Sequence, residues 1–214
     1  IAADFTKQNL GQVYYNSTSN AYKVTAQSLP TGTWASGGAL NTARYQIGGD
    51  GSSTAAIVAG GDVYPASPRA GAITEIYNGS TWTEVNDVNH ANQAVTNFGT
   101  TTSSIYVAGA NPTTYAESWN GSNWTEITTI NSARSEATGT GTSTAGILIG
   151  GGTPGGKSTL TELWNGSAWT ETTDINTARN TRSSGIQTSA LIVGGETTPG
   201  PFTANCELWN GTSW

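Results

Sequence analysis

The chain has 214 residues, 35% of them hydrophobic and only 10% charged, with a formal net charge of −6. Its three Lys and five Arg are scattered singly, so no basic stripe is available to neutralise phosphates, which sets aside nucleic acid and anionic membranes as expected partners. The single cysteine, Cys206, has no internal disulfide partner, and the single histidine, His90, leaves a multi-His metal centre without ligands, so no cofactor is expected. Abundant Gly, Ser, Thr and Asn with few Glu and Lys favour short strands and tight turns over helices. No apolar run reaches the roughly 18 to 20 residues a membrane-spanning helix needs, so no membrane insertion is expected. The chain holds no Met and starts at Ile1, and so reads as a processed chain or a window from a longer one.

Residues 1–33 stand outside the repeating pattern. Within them Gly11 to Val24 reads as strand, polar turn and strand, with aromatics flanking the turn. A lone hairpin is marginal in water, so it is expected to pack on the repeats, on another domain or on sister chains, as an attachment segment. Residues 26–32, with Leu29-Pro30-Thr31-Gly32, read as a connector.

From Trp34 onward one hairpin recurs. It is clearest as Glu162-Leu163-Trp164-Asn165-Gly166-Ser167-Ala168-Trp169, with near-copies around Asn78-Gly79, Asn120-Gly121 and Asn210-Gly211. Asn-Gly between aromatic, β-prone runs predicts a two-residue type I′ turn, which needs φ > 0 at both central positions. The second Trp of the motif falls at Trp34, Trp82, Trp124, Trp169 and Trp214, a spacing of 42 to 48 residues that marks a repeat array. Each repeat reads as four strands. In the third, Asn131-Ser132-Ala133-Arg134 precedes a small-residue strand, residues 144–149 form an apolar strand ending in Gly150-Gly151, residues 159–164 form the next, and residues 168–172 form the last. Four antiparallel strands per repeat predict an all-β propeller, with blades at about 41–85, 89–127, 131–172 and 176–214, and Trp34 as the outer strand of a further blade. The recurring Trp residues are read as core.

An Arg before the innermost strand, an apolar strand closing on Gly-Gly, and an aromatic and a Trp flanking a tight turn together resemble kelch repeats, the galactose-oxidase-like β-propellers. The likeness covers residues 34–214. The N-terminal Tyr14-Tyr15-Asn16-Ser17-Thr18 hairpin followed by Asn/Gly/Thr-rich blades is also similar to tail-fibre and other virion proteins of marine bacteriophages. These resemblances imply a non-catalytic, extracellular virion adhesion protein, homo-oligomeric, that contacts a host surface glycan or neighbouring virion subunits. The copper site of enzymatic galactose-oxidase-like proteins uses two His and a Tyr-Cys pair, which one His does not reproduce. A secreted carbohydrate-active enzyme and a general protein-interaction propeller remain the alternatives.

Arg44, Arg134 and Arg179 share one position, replaced by Asn92 in the second repeat. Antiparallel strand order places them near Glu75, Glu162 and Glu207, which predicts buried Arg-carboxylate forks; a ring of Arg gripping an anionic ligand is the competing reading. Residues 151–158, ending in Gly156-Lys157-Ser158, fit the phosphate-loop pattern, but the helix that mechanism needs is replaced by a predicted strand. The Asn-x-Ser/Thr triplets read first as hairpin turns. The loops joining the second and third strands of each blade diverge while the scaffold repeats, and they supply the remaining candidates: Tyr64, Arg69, Tyr115, Lys157 and Phe202.

Overall fold

The computed structural model describes residues 13–24, 35–65, 71–110, 112–198 and 200–214. Trp34 and Arg69 lie outside the described residues. The chain divides into two compact units, residues 1–36 and 37–214. In the first, β1 (Val13–Asn16) pairs antiparallel with β2 (Ala21–Val24). Asn16 Oδ1 accepts hydrogen bonds from the Thr18 and Ser19 backbone N–H groups, which closes the turn between them.

In the second unit the same device builds every blade. Trp164 pairs directly with Trp169, so the connection between them is four residues long, not two. Gly166 takes φ 93°, whereas Asn165 stays out of the left-handed region. Asn165 instead uses its side chain: Oδ1 accepts from the Ser167 and Ala168 N–H groups, both at 2.9 Å, and from the Ser167 hydroxyl. The predicted hairpin therefore forms, but by an Asx turn rather than a type I′ turn. Asn78, Asn120 and Asn210 repeat it, with Gly79, Gly121 and Gly211 at φ 93° to 98°. The third residue of each Asn-Gly-Ser/Thr triplet is thus already held by its Asn.

Four sheets follow. Blade 1 is β3 (Gly48–Ser52), β4 (Ala55–Ala59), β5 (Thr74–Tyr77) and β6 (Trp82–Val85). Blade 2 is β7 (Thr96–Thr100), β8 (Ser103–Val107), β9 (Ala116–Trp119) and β10 (Trp124–Glu126). Blade 3 is β11 (Thr138–Thr142), β12 (Ala145–Ile149), β15 (Thr161–Trp164) and β16 (Trp169–Glu171), with a small hairpin of β13 (Gly152–Thr153) and β14 (Gly156–Lys157) between its second and third strands. Blade 4 is β17 (Arg179–Ile186), β18 (Ser189–Thr197) and β19 (Cys206–Trp209). It shows three strands among the described residues where four were predicted. Within each blade the order is sequential and antiparallel, giving an all-β, four-bladed propeller arrangement with no helix among the described residues.

The innermost strands are small-residue strands for a steric reason. Gly51, Gly99, Gly141 and Gly185 occupy one register position at φ 124° to 134°, and a Cβ there would lie 2.3 to 2.4 Å from a carbonyl oxygen of the facing strand. Only glycine fits there.

The core lies between blades. Ile57 and Ala59 of blade 1 pack on Tyr106, Trp119 and Trp124 of blade 2. Ile105 and Val107 of blade 2 pack on Leu148, Trp164 and Trp169 of blade 3. Ile147 and Ile149 of blade 3 pack on Ile192 and Trp209 of blade 4, with Trp214 alongside. One face of each sheet thus carries an aliphatic row and the opposite face of the next carries the indole pair. Each ring buries roughly 150 to 250 Å², an upper-bound contribution of about 4 to 6 kcal/mol at about 25 cal/mol/Å². These indoles are core, as their recurrence implied.

Candidate functional site

The four inner strands surround a cavity of about 670 Å³. How its walls are built follows from the strand entries. Gln46, Ala94 and Glu136 stand just before β3, β7 and β11, each in the left-handed region at φ 52° to 56°. Non-glycine residues pay for that conformation, and here all three line the cavity. In blade 4 the equivalent place is a bulge between Asn180 and Arg182, which also line it.

The inner wall bears one unusual side chain. Asn97 of β7 pairs with Tyr106, and the same register position is Gly49 in blade 1, Gly139 in blade 3 and Ser183 in blade 4. Asn97 is 5% exposed, yet neither its Oδ1 nor its Nδ2 finds a hydrogen-bond partner in the protein. An orphaned buried amide costs about 1 to 3 kcal/mol. Gly48 of the neighbouring blade permits it, since a Cβ at 48 would sit 2.4 Å from Asn97 Oδ1. Across the cavity, Asn180 donates through Nδ2 to Glu136 Oε2 and leaves its own Oδ1 unpartnered. Arg182 is exposed, with Nη1 on the Thr181 carbonyl at 2.9 Å. Thr96, Thr138 and Ser183 complete the polar wall, although Thr96 and Thr138 already bond the next blade.

Of the loop residues singled out by sequence, Phe202 lies at the cavity, 82% exposed on its lip. Lys157 is joined to it indirectly: its Nζ pairs with Glu196 Oε2 at 2.8 Å, and Glu196 is a cavity residue. Tyr64 is exposed and does not line the cavity. Tyr115 stacks on His90, ring centroids 3.8 Å apart, and does not line the cavity either.

The three arginines stand beside the carboxylates that strand order predicted, and they lie away from solvent. The side chains of Arg44, Arg134 and Arg179 have no exposed surface. Arg44 Nη1 donates to Glu75 Oε1 at 2.6 Å and Arg134 Nη2 to Glu162 Oε1 at 2.6 Å. Arg179 lies 3.0 Å from Glu207 as an ion pair whose alignment falls short of a hydrogen bond. Burial pushes the Glu75 carboxyl upward, but hydrogen bonds from the Asn41 N–H, Arg44 and the Asn41 amide, with the charge of Arg44, hold it below its ordinary value. Blade 2 has Asn92 where the others have Arg, and its buried Glu117 is held by the Asn89 N–H and Nδ2, the His90 N–H and His90 Nδ1. The Tyr106 hydroxyl beside it donates to the His90 carbonyl, and burial raises its pKa above the usual phenol value.

The phosphate-loop match falls on β13, β14 and the strand that follows, so the helix terminus that would cradle phosphates is replaced by extended chain. Among the described residues no group of three His, Cys, Asp or Glu could hold a metal ion. What the cavity offers is an amide with a free donor and acceptor, a second free amide oxygen, hydroxyls, a carboxylate pair and one guanidinium, around space of small-ligand size.

No family model matches the chain, and no curated protein matches it. Among solved structures it is similar to that of YjhT, with a TM-score of 0.63 and 14% identity over 91% of this chain and 70% of that one. At that identity the likeness is one of fold, and it agrees with the β-propeller arrangement described above.

Proposed function

We propose that this chain is a kelch-type recognition module of a virion adhesion protein and that it binds a surface glycan at the mouth of its central cavity, without catalysing a reaction. The observation that carries the reading is Asn97. Its amide sits nine-tenths buried in the cavity wall with both hydrogen-bonding atoms unused. A polyhydroxylated ligand supplies both partners at once, since each sugar hydroxyl donates and accepts. Asn180 Oδ1, Arg182 and Glu136 extend the same polar surface, and Phe202 gives an aromatic lip on which a sugar face can rest. The phage and kelch assignments rest on the sequence resemblance.

The test is a glycan array with the purified chain, followed by calorimetry of the retained sugar on the wild type and on Asn97→Leu. Leucine has a similar shape and removes the orphaned polar atoms, so the variant is expected to melt at or above the wild-type temperature while binding falls at least about tenfold, the worth of one lost hydrogen-bonding group. An array that retains nothing, or an Asn97→Leu variant that binds as the wild type does, overturns the reading.

A further inference from the structure

Two amides line the cavity, and they are free to different degrees. Asn97 has neither Oδ1 nor Nδ2 engaged, so it meets an approaching donor or acceptor alike. Asn180 is fixed. It enters the lining at the bulge of β17, and its Nδ2 donates to Glu136 Oε2, which the left-handed entry to β11, at φ 52°, carries to the same place. A carboxylate only accepts, so the Asn180 amide turns its nitrogen towards Glu136 and its oxygen away; reversed, Oδ1 would stand against a carboxylate oxygen. That Oδ1 is buried and receives no hydrogen bond from the protein. The neighbouring groups supply no ready donor. Glu196 stands opposite Asn180 across β17 and β18, with its Oε2 on Lys157 Nζ at 2.8 Å. The Thr138 and Ser183 hydroxyls are engaged with each other at 2.9 Å, and Arg182 holds Nη1 on the Thr181 carbonyl.

We infer that Glu136 sets the specificity of the cavity through Asn180: the glycan must bring an unesterified hydroxyl to Asn180 Oδ1, and forms O-acetylated or O-sulfated at that hydroxyl are rejected. The inference rests on the glycan reading above and adds the class of glycan. An ester removes the hydroxyl proton, which leaves the buried Oδ1 without a donor and sets the acceptor oxygens of the ester against Asn180 and Glu136. A sulfate also brings negative charge towards a carboxylate. A site built to hydrogen-bond a hydroxyl rejects an analogue lacking it strongly, because its own buried polar group is then left unpaired. Asn97 makes no such distinction, since its Oδ1 and Nδ2 are both open to the ligand. Glu136 is therefore a positioning residue. It is the reason one amide in the lining reads donors alone while the other reads donors and acceptors.

The test is an array presenting each glycan in unsubstituted, O-acetylated and O-sulfated forms, probed with the wild type, Glu136→Gln, Asn180→Ser and Asn97→Leu, each checked by melting temperature. The wild type is expected to retain the unsubstituted form at least about tenfold more strongly than the form esterified at the contacting hydroxyl, the worth of one hydrogen bond left unmade. The amide of Glu136→Gln both donates and accepts, so Asn180 is no longer held one way round. Retention of the unsubstituted form is expected to fall, that of the esterified form to rise, and their ratio to close to within about threefold. Asn180→Ser, whose hydroxyl also donates and accepts, is expected to close the ratio by a different route. Asn97→Leu is expected to weaken both forms and keep the ratio. A wild type that retains both forms alike overturns the inference and leaves the glycan reading standing. So does a folded Glu136→Gln or Asn180→Ser variant that loses both forms in proportion, which is the result of a merely structural role. An array that retains no form of any glycan overturns the glycan reading, and this inference with it.

Discussion

Replacing Arg134 with Met tests the energetic logic of the whole scaffold. The guanidinium is fully buried and donates to Glu162 Oε1 at 2.6 Å and to the Leu160 carbonyl at 2.8 Å. Burial pulls the Arg134 pKa down, and the neighbouring Glu162 charge opposes that pull. Methionine fills the space of the stem but leaves Glu162, itself without exposed surface, with the Asn131 N–H and Nδ2 on Oε2 and nothing on Oε1. Breaking one half of a buried ion pair costs about 3 to 5 kcal/mol, or about 6 to 20 °C in Tm for a chain of this size. Urea denaturation followed by tryptophan fluorescence reads the loss. The Arg134→Met, Glu162→Leu double variant removes the stranded charge as well, and is expected to recover most of the stability, to within about 2 kcal/mol of wild type. A single variant within about 1 kcal/mol of wild type, or a double variant worse than the single, refutes the argument. Blade 2 already indicates how the carboxylate survives without Arg: there Glu117 Oε1 takes the His90 N–H and Nδ1 instead.

Two further outcomes follow from differences among the repeats. Trp124 Nε1 donates to Thr74 Oγ1 of the preceding blade at 3.0 Å and Trp214 Nε1 to Thr161 Oγ1 at 3.3 Å, but Trp169 meets Ala116 at that position and its Nε1 is buried without a partner. Ala116→Thr is therefore expected to raise stability by about 1 kcal/mol in urea denaturation, with Ala116→Val as the volume control; a threonine no better than valine sinks the idea. The lowered pKa of Glu75 makes a pH prediction: stability from its fork is present above the ordinary value of 4.5 and is lost as pH falls below it, through the lower folded-state value. Melting curves of the wild type should fall across that acidic window more steeply than those of Glu75→Gln, and parallel curves would contradict the assignment.

The scaffold was legible because repetition multiplies weak signals. One Asn-Gly hairpin is a local guess, whereas four at a spacing of 42 to 45 residues, each followed by Trp, leave little but stacked sheets. The Arg-Glu forks were legible for a topological reason: antiparallel order brings the start of strand 1 and the start of strand 3 to one end of the blade. The turn type was misread because Asn-Gly serves two chemistries, left-handed backbone and side-chain acceptor. The four-residue spacing between the paired aromatics already distinguishes them, since a two-residue turn would bring Trp164 against Ser167 rather than Trp169.

The cavity was harder to see for the reason the scaffold was easy. Attention to what recurs hides the column that does not. Gly49, Asn97, Gly139 and Ser183 align in register, and three small residues against one amide mark the place where a single blade departs from the needs of packing. A buried amide without a partner is selected against on stability grounds alone, and so are three consecutive strand entries in left-handed backbone at Gln46, Ala94 and Glu136. Both costs fall in the lining of one cavity. Of the divergent loops, that of blade 4 contributes Phe202 at the lip and that of blade 3 places Lys157 behind Glu196. Recognition in a propeller of this kind is accordingly expected to sit where the repeat breaks at its axis, with the loops adding reach rather than the founding contact.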